Sequence, residues 1–422
     1  MMHRKLISIA APLFLCSLFL TSCYLARHQL RQIPNPLFSH IHDYHDSIAN
    51  EIPQKYIEKI EDGTVLRSAE IKDYIDEIFG RHETDLSNLE CPIINQTRYS
   101  PLISRNKSKS DIHYFFALNL RTNLNPLPRL LGSIVEVAKF LGPDNCVLSI
   151  VEGNSKDGTQ DVLQAIRPSL EAIGLRYHFK RSDVDPGQGN RIHKLALLRN
   201  AALEPLLELK GQTNTDTVLS FINDVTACPE DLLELILQRQ TLGADMTCAM
   251  DWTYVGPDPT FYDVWVSRSI HGEIFFDIPP DNSWDNAWNL FWNDDPSQAR
   301  YVANRPFQVF SCWNGATVFR AQPFLDGLQF RGPTDSECFQ GEAELICKDL
   351  WLRGHGKIAV VPSVNLEYTV ERGRQIKQLK GYTSDIVSIQ DSSEDSISWQ
   401  LEPPEMVKCM PDFKRQSWRP WN

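Results

Sequence analysis

Four apolar runs in this 422-residue chain end in polar residues whose types suit hydrogen bonding to a polyhydroxylated ligand. Asn119-Leu120-Arg121 follows Tyr114–Leu118, and Glu152-Gly153-Asn154-Ser155-Lys156-Asp157-Gly158-Thr159 follows Cys146–Val151. Asn223-Asp224-Val225 follows Val218–Ile222, and Asp251-Trp252 follows Met246–Met250. A carboxylate such as Glu152 accepts hydrogen bonds from hydroxyls, and the small residues after it let the backbone approach a ligand. Asp157 and Thr159 also read as N-caps for a helix from about Gln160. Any one of these groups could be a cap or a turn, so the weight lies in their agreement, and Asp224 is the strongest single candidate. Downstream, residues 251–313 are rich in acids and hold six of the ten tryptophans. Aromatic faces stack on the C–H faces of sugars, which marks Trp252, Asp263, Trp265, Trp313 and the adjoining Asn314 as candidate acceptor contacts. The competing reading is a lid whose tryptophans fill a core.

The elements needed to position these residues are legible in the pattern. Strands are expected at 114–118, 146–151, 176–179, 218–222, 246–250, 316–319 and 358–361, from short apolar runs between turn residues. Helices are expected at 127–141, 160–173, 192–207, 229–242 and 342–352. Strands that alternate with helices imply a mainly parallel sheet covered on both faces, and ligands of such sheets bind at the carboxyl ends of the strands. Residues 26–111 read as a stem with a short helical pattern around 74–79, and 384–422 read as a C-terminal tail. The core domain is then 112–383.

The net charge of −12 and pI near 5.4 exclude a general nucleic-acid binder, which needs a basic face. His3, Arg4 and Lys5 precede a mostly apolar run from Leu6 to Leu25, just long enough to span a bilayer as a helix. The preferred reading of residues 1–25 is a cytosolic tip and signal anchor; a cleaved signal peptide and lipidation at Cys23 are the alternatives. All three send the rest of the chain out of the cytosol. Sequons at Asn95 and Asn106 and eight cysteines beyond the apolar run agree with an oxidising lumen, with the pairing left open.

The turn Glu152–Thr159 resembles the nucleotide-binding segment of GT-A glycosyltransferases, and Arg191–Ala201 resembles the Ala-Arg-Asn helix of that fold. The likeness implies an α/β fold of GT-A type, with a Rossmann-like sheet flanked by helices behind the anchor and stem. It further implies a donor site made of Asn119, Arg121, Glu152, Ser155, Asp157 and Asp224, with Arg191, Lys194 and Arg199 neutralising a diphosphate. Asp224 stands where such enzymes carry an Asp-x-Asp site for Mn²⁺ or Mg²⁺, although Ile222 and Thr226 occupy the places of a second acid. Phe221–Val225, Phe261–Trp265, Cys312–Gly315, Glu337–Glu342 and Cys347–Trp351 together are similar to the fungal family of cryptococcal alpha-1,3-mannosyltransferases and capsule-associated proteins, over about residues 113–370. That resemblance implies GDP-mannose as donor, a mannose-containing glycan as acceptor, retention at the anomeric carbon and a type II Golgi membrane protein. Glu342, Glu344 and Asp251 are the candidate catalytic carboxylates. Ser269 departs from the family pattern, where an acid is expected after Arg268. A non-catalytic glycan-binding or assembly factor, or a transferase for another nucleotide sugar, is the alternative function.

Overall fold

The computed structural model describes residues 60–81, 86, 88–103 and 111–422. The Leu6–Leu25 run and Asn106 lie outside the described residues, and among those described no helix is long and apolar enough to cross a membrane.

Each expected apolar run forms a strand. β1 (Ile112–Leu120), β2 (Cys146–Glu152), β3 (Arg176–Arg181), β4 (Thr213–Ile222) and β5 (Met246–Tyr254) alternate with helices. Those helices are α3 (Leu127–Leu141), α4 (Thr159–Ala165), α5 (Arg167–Ala172), α6 (Arg191–Glu208) and α7 (Pro229–Thr241); α1 (Ser68–Phe79) and α2 (Gln96–Tyr99) precede them. The single helix expected at 160–173 is broken at Ile166, because Pro168 cannot donate to the preceding turn and instead opens α5. Later elements are β6 (Pro259–Phe261), β7 (Arg268–Ser269), α8 (Asp295–Val302), β8 (Phe307–Ser311) and β9 (Ala316–Arg320). α9 (Gln322–Leu325), α10 (Glu342–Leu352), β10 (Ile358–Leu366), α11 (Val370–Lys380), α12 (Thr383–Ser388) and the hairpin β11 (Met406–Asp412) and β12 (Arg415–Pro420) complete the chain.

The main sheet runs β3-β2-β1-β4-β9-β5-β10-β8-β7, with β6 on β5. The expectation of a mainly parallel sheet is corrected. β3-β2-β1-β4 and β5-β10 are parallel, whereas β9 is antiparallel to both neighbours, and β8, β7 and β6 also pair antiparallel. Parallel neighbours need a long crossover, usually helical; the regular strand–helix alternation stops after β5, where the irregular tryptophan-rich segment begins, and only β10, which follows α10, is again parallel to a neighbour. Period-two alternation sends Phe115 and Ala117 of β1 into one core with α6, β9 and the tryptophan-rich segment. Tyr114, Phe116 and Leu118 enter the other core, with α1, α3 and α7.

The described part of the segment read from the sequence as stem, from Ile60 on, and the segment read as tail belong to the same compact unit as the sheet. Ile71, Ile75 and Ile78 of α1 are buried with α3, an i, i+4, i+7 stripe. The Asp161 carboxylate accepts the backbone N–H groups of Thr64, Val65 and Leu66 at 2.8–2.9 Å. Arg98 makes a bidentate pair with Glu234, and Cys91 is disulfide-bonded to Cys228. Cys248–Cys312 and Cys338–Cys409 are the other disulfides among the described residues, and Cys146 and Cys347 are buried thiols. The region 384–422 supplies part of α12 and the β11–β12 hairpin, which Cys338–Cys409 ties to the loop before α10.

Candidate active site at the strand ends

Register brings the expected strand ends together. Leu120 is opposite Glu152, and Leu118 is opposite Ile222, so Asn119 lies between the turn after β2 and Asn223-Asp224 after β4. Two strand spacings, roughly 10 Å, separate the β2 and β4 ends.

The two turns on the β2 side are knitted to each other. Ser155 Oγ accepts the Thr122 N–H at 2.7 Å, and Asp157 accepts the Leu124 N–H at 3.0 Å. Asp157 also accepts the Thr159 N–H and hydroxyl at 3.0 and 2.7 Å, so its carboxylate is engaged as a cap and loop tie. Glu152 is fully buried; one oxygen accepts the Ser155 N–H at 2.7 Å and the other has no hydrogen-bond partner. Such an orphaned buried acceptor suits a donor brought by a ligand. Arg121 is exposed and paired with Asp185 at 2.6 Å, and Lys194 donates to the Asp185 carbonyl at 2.9 Å. Arg191 is exposed at the first turn of α6, whose N-cap Asn190 accepts the His193 N–H.

Asp224 is half-buried, and among the described residues no other residue donates a hydrogen bond to it. Burial pushes its carboxyl above the ordinary range, against the opposing pull of its own N–H and Arg199. β5 runs past the expected end at Met250 to Tyr254, so Asp251 lies within the strand; it is fully buried, its Oδ2 accepts the Tyr368 hydroxyl at 2.5 Å and Oδ1 has no hydrogen-bond partner. Asp263 is half-exposed and accepts the Asn314 N–H at 2.9 Å. Burial raises the Asp263 carboxyl to about 6. The Asp251 carboxyl is held well above the usual range by burial and then by Asp263. Between two close acids the proton stays on the more buried one, so Asp251 carries it while Asp263 ionises. Tyr262, 48 % exposed, packs at a tilt of 56° against Tyr368 with ring centroids 4.9 Å apart, and its phenol feels Asp251, Asp263, Asp224 and Arg191. That set of neighbours brings the β4 end, the later part of β5 and the start of α6 to one edge of the sheet.

Arg199, expected at a diphosphate, is instead an internal cation. Its guanidinium donates to Glu342 at 2.8 Å and lies 4.0 Å from the Trp313 ring. Glu342 is thereby buried as a counter-ion. Glu344 is also buried, 3.7 Å from the enclosed Arg268 guanidinium. Burial pushes the Glu344 carboxyl up to about 8, with Arg268 opposing. A carboxyl whose folded value exceeds its unfolded value binds its proton more tightly when native. Its contribution is therefore full below about pH 4.5 and is lost as pH rises to about 8. Urea unfolding of Glu344→Gln should lack that decline, whose slope is at most about 1.4 kcal/mol per pH unit. An unchanged slope would refute the assignment.

The remaining candidates separate by burial. Trp252 is buried with its indole N–H on Asn365 at 2.8 Å, so it is a core residue, not an acceptor contact. Trp313 is likewise buried and donates to Asn223 at 3.0 Å. Asn314 is buried at φ 56° and accepts from Ser267 and donates to the Ala249 carbonyl while its N–H holds Asp263. Trp265 is 37 % exposed and packs at a tilt of 40° against Phe413. Exposed Asn95 caps α2 through Oδ1, the atom that a glycan on Nδ2 would not need. Asp185, Tyr262 and Tyr368 were not singled out in the sequence. Tyr368 lies two residues past β10, where the strand-end rule would have found it had that strand been read to its full length.

Among the described residues no three His, Cys, Asp or Glu side chains converge as a metal cage. Asp224, half-buried with no donor from another residue, fits a single protein ligand whose other partners come from donor oxygens and water.

The family model described as Cryptococcal mannosyltransferase 1 matches residues 113–349. The chain is 36 % identical, over 334 residues, to Alpha-1,3-mannosyltransferase CMT1 of Cryptococcus neoformans var. neoformans serotype D. That match covers 74 % of this chain and 70 % of the relative. Among solved structures, mannosyltransferase PcManGT from Pyrobaculum calidifontis in complex with GDP-Man and Mn²⁺ aligns with TM-score 0.37 and 10 % identity, covering 79 % of this chain and 71 % of that one. S. aureus TarS residues 1–349 align with TM-score 0.36 and 12 % identity, covering 67 % and 68 %.

Proposed function

The chain belongs to the family of cryptococcal mannosyltransferases, and from that premise we propose that it moves mannose from GDP-mannose to a hydroxyl of a mannose-containing glycan, forming an α-1,3 linkage with retention. The observation that carries the reading is that partly exposed Asp224 and Asp263, with Arg191, lie close enough to act on the Tyr262 phenol, while Arg199 acts on both acids. This grouping and the sheet agree with a GT-A type arrangement, the donor lying across the β2, β1 and β4 ends.

The residues divide the work by exposure. Asn119 and the orphaned Glu152 oxygen face the nucleoside, and Arg191 with the first N–H groups of α6 faces the diphosphate. Asp224 would hold Mn²⁺ or Mg²⁺, which neutralises charge on the departing diphosphate. Arg199 and Glu342 sit behind the site and fix its charge. Asp263, the partly exposed acid of the tryptophan-rich segment beside Tyr262, accepts the hydrogen bond of the attacking hydroxyl. Asp251 stays protonated beneath Tyr262 and keeps Tyr368 in place. The disulfides support a lumenal setting, in keeping with a type II Golgi protein anchored by Leu6–Leu25.

Incubation with GDP-mannose, Mn²⁺ and α-mannobiose should give a trisaccharide by mass spectrometry, and UDP-glucose should not replace the donor. Glycan binding without transfer from any donor would favour a non-catalytic factor instead. Because Asp263 acts as the ionised form, kcat/KM should rise with pH through about 6. Asp263→Asn should remove that limb and lower the rate by roughly 10²-fold. An intact limb in the variant would exclude Asp263 from the role.

A further inference from the structure

Beyond the proposed site, the loop that carries Asp263 continues into a row of half-open aromatic rings. Trp265 is 37 % exposed and its ring lies 4.5 Å from Phe413, at the tip of the β11–β12 hairpin. Phe413 in turn meets Trp284 at 6.1 Å, and Trp284 meets Phe276 at 5.4 Å. The tip is held from several sides. Buried Arg268 donates to the Lys408 carbonyl at 2.8 Å, the Lys408 N–H donates to the Gly272 carbonyl at 2.8 Å, and Cys409 is bonded to Cys338. Gln416 bridges the Phe413 and Ile278 carbonyls at 2.9 and 2.8 Å. The polar rim beside Trp284 is neutral or acidic: Asn286 donates to exposed Asp277 at 3.1 Å.

Aromatic area left half-open on a fixed frame is a binding feature more than a packing one. Rings rimmed by amides and carboxylates match a ligand with C–H faces and hydroxyl edges; of the two exposed cations at the tip, Arg415 is paired with Asp412 and Lys414 stands beside Phe413. We propose that Trp265, Phe413 and Trp284 form a subsite for the acceptor, a hexose oligosaccharide, at sugars beyond the one that receives the new bond. Trp265 stands two residues from Asp263 on the same loop, which places the shelf next to the proposed site. The proposal rests on the glycan-acceptor part of the function above and adds the hairpin to the site.

Its test is binding without donor, by calorimetry on the full chain. α-Mannotetraose should bind about tenfold more tightly than α-mannobiose, the gain of one well-made stacking contact or two weaker ones. Trp265→Ala and Phe413→Ala should reduce the tetrasaccharide to the disaccharide level, and Phe413→Trp should retain the gain. Should the alanine variants fail to fold, protection of wild-type Trp265 from oxidation by the tetrasaccharide, and not by the disaccharide, supplies the same readout. Equal affinity of the wild type for both lengths would overturn the proposal. So would self-association through Trp265 that the tetrasaccharide does not compete away. Length-dependent binding in a chain that transfers no mannose would sink the transferase reading and leave the shelf standing; transfer without length dependence would sink the shelf alone.

Discussion

Asp224→Asn should lower kcat for mannosyl transfer by roughly 10²–10³-fold, the loss typical when one charge-stabilising group is removed from a transition state. Acceptor affinity should change little. The side chain takes no hydrogen bond from another residue, so the amide replaces it without orphaning a partner, and the unfolding midpoint should stay near the wild-type value. A carboxylate that holds the cation also predicts a rightward shift in the Mn²⁺ concentration giving half-maximal rate. Activity within a few-fold of wild type, at unchanged Mn²⁺ dependence, would remove Asp224 from the site.

The largest effect on stability should come from the opposite side of β10. Lys377 and Asp231 are both fully enclosed and paired at 2.6 Å. Asp231 also accepts the Thr383 hydroxyl at 2.5 Å and the Cys228 N–H at 2.7 Å, so one carboxylate joins α7, α11, α12 and the Cys91–Cys228 disulfide. Lys377→Ala leaves that carboxylate buried without its cation and should cost about 3–5 kcal/mol in urea unfolding. Asp231→Asn combined with Lys377→Met should recover much of the loss, because neither partner is then a stranded charge. A Lys377→Ala cost below about 1 kcal/mol would mean that water reaches the pair.

The strand-end residues were legible because they depend on one-dimensional features: an apolar run, its end, and the polar residue after it. Asp224 and the Glu152 turn are of that kind, whereas Asp263 stood out through the acidic, tryptophan-rich composition of its segment. What the sequence hid depends on pairing. Arg199 looks like any basic position on an amphipathic helix, and only the fold puts Glu342 and Trp313 against it. Trp252 and Trp265 share a segment and a composition, yet one fills a core and the other stands half-open. β10 was read as ending at Val361 because Pro362 interrupts the run. The chain accommodates the proline in a register shift between Val360 and Asn365 and continues to Leu366, which delivers Tyr368 to Asp251. The antiparallel entry of β9 was hidden for a related reason: nothing local distinguishes a strand that runs with its neighbours from one that runs against them.

The turn that starts β9 carries a consequence for redesign. Asn314 and Gly315 adopt φ 56° and 83°, and a Cβ on Gly315 would come 3.0 Å from Val225 and 3.3 Å from the Asp251 Cβ. The Gly315 carbonyl receives the Asn223 N–H while the Asn314 N–H holds Asp263. Donor-side and acceptor-side loops therefore hang from a single two-residue pivot. A mutagenesis library aimed at a new acceptor should vary the rim around Trp265 and keep 314–315 constant, since any change at the pivot perturbs nucleotide handling and glycan choice together and no screen could separate them.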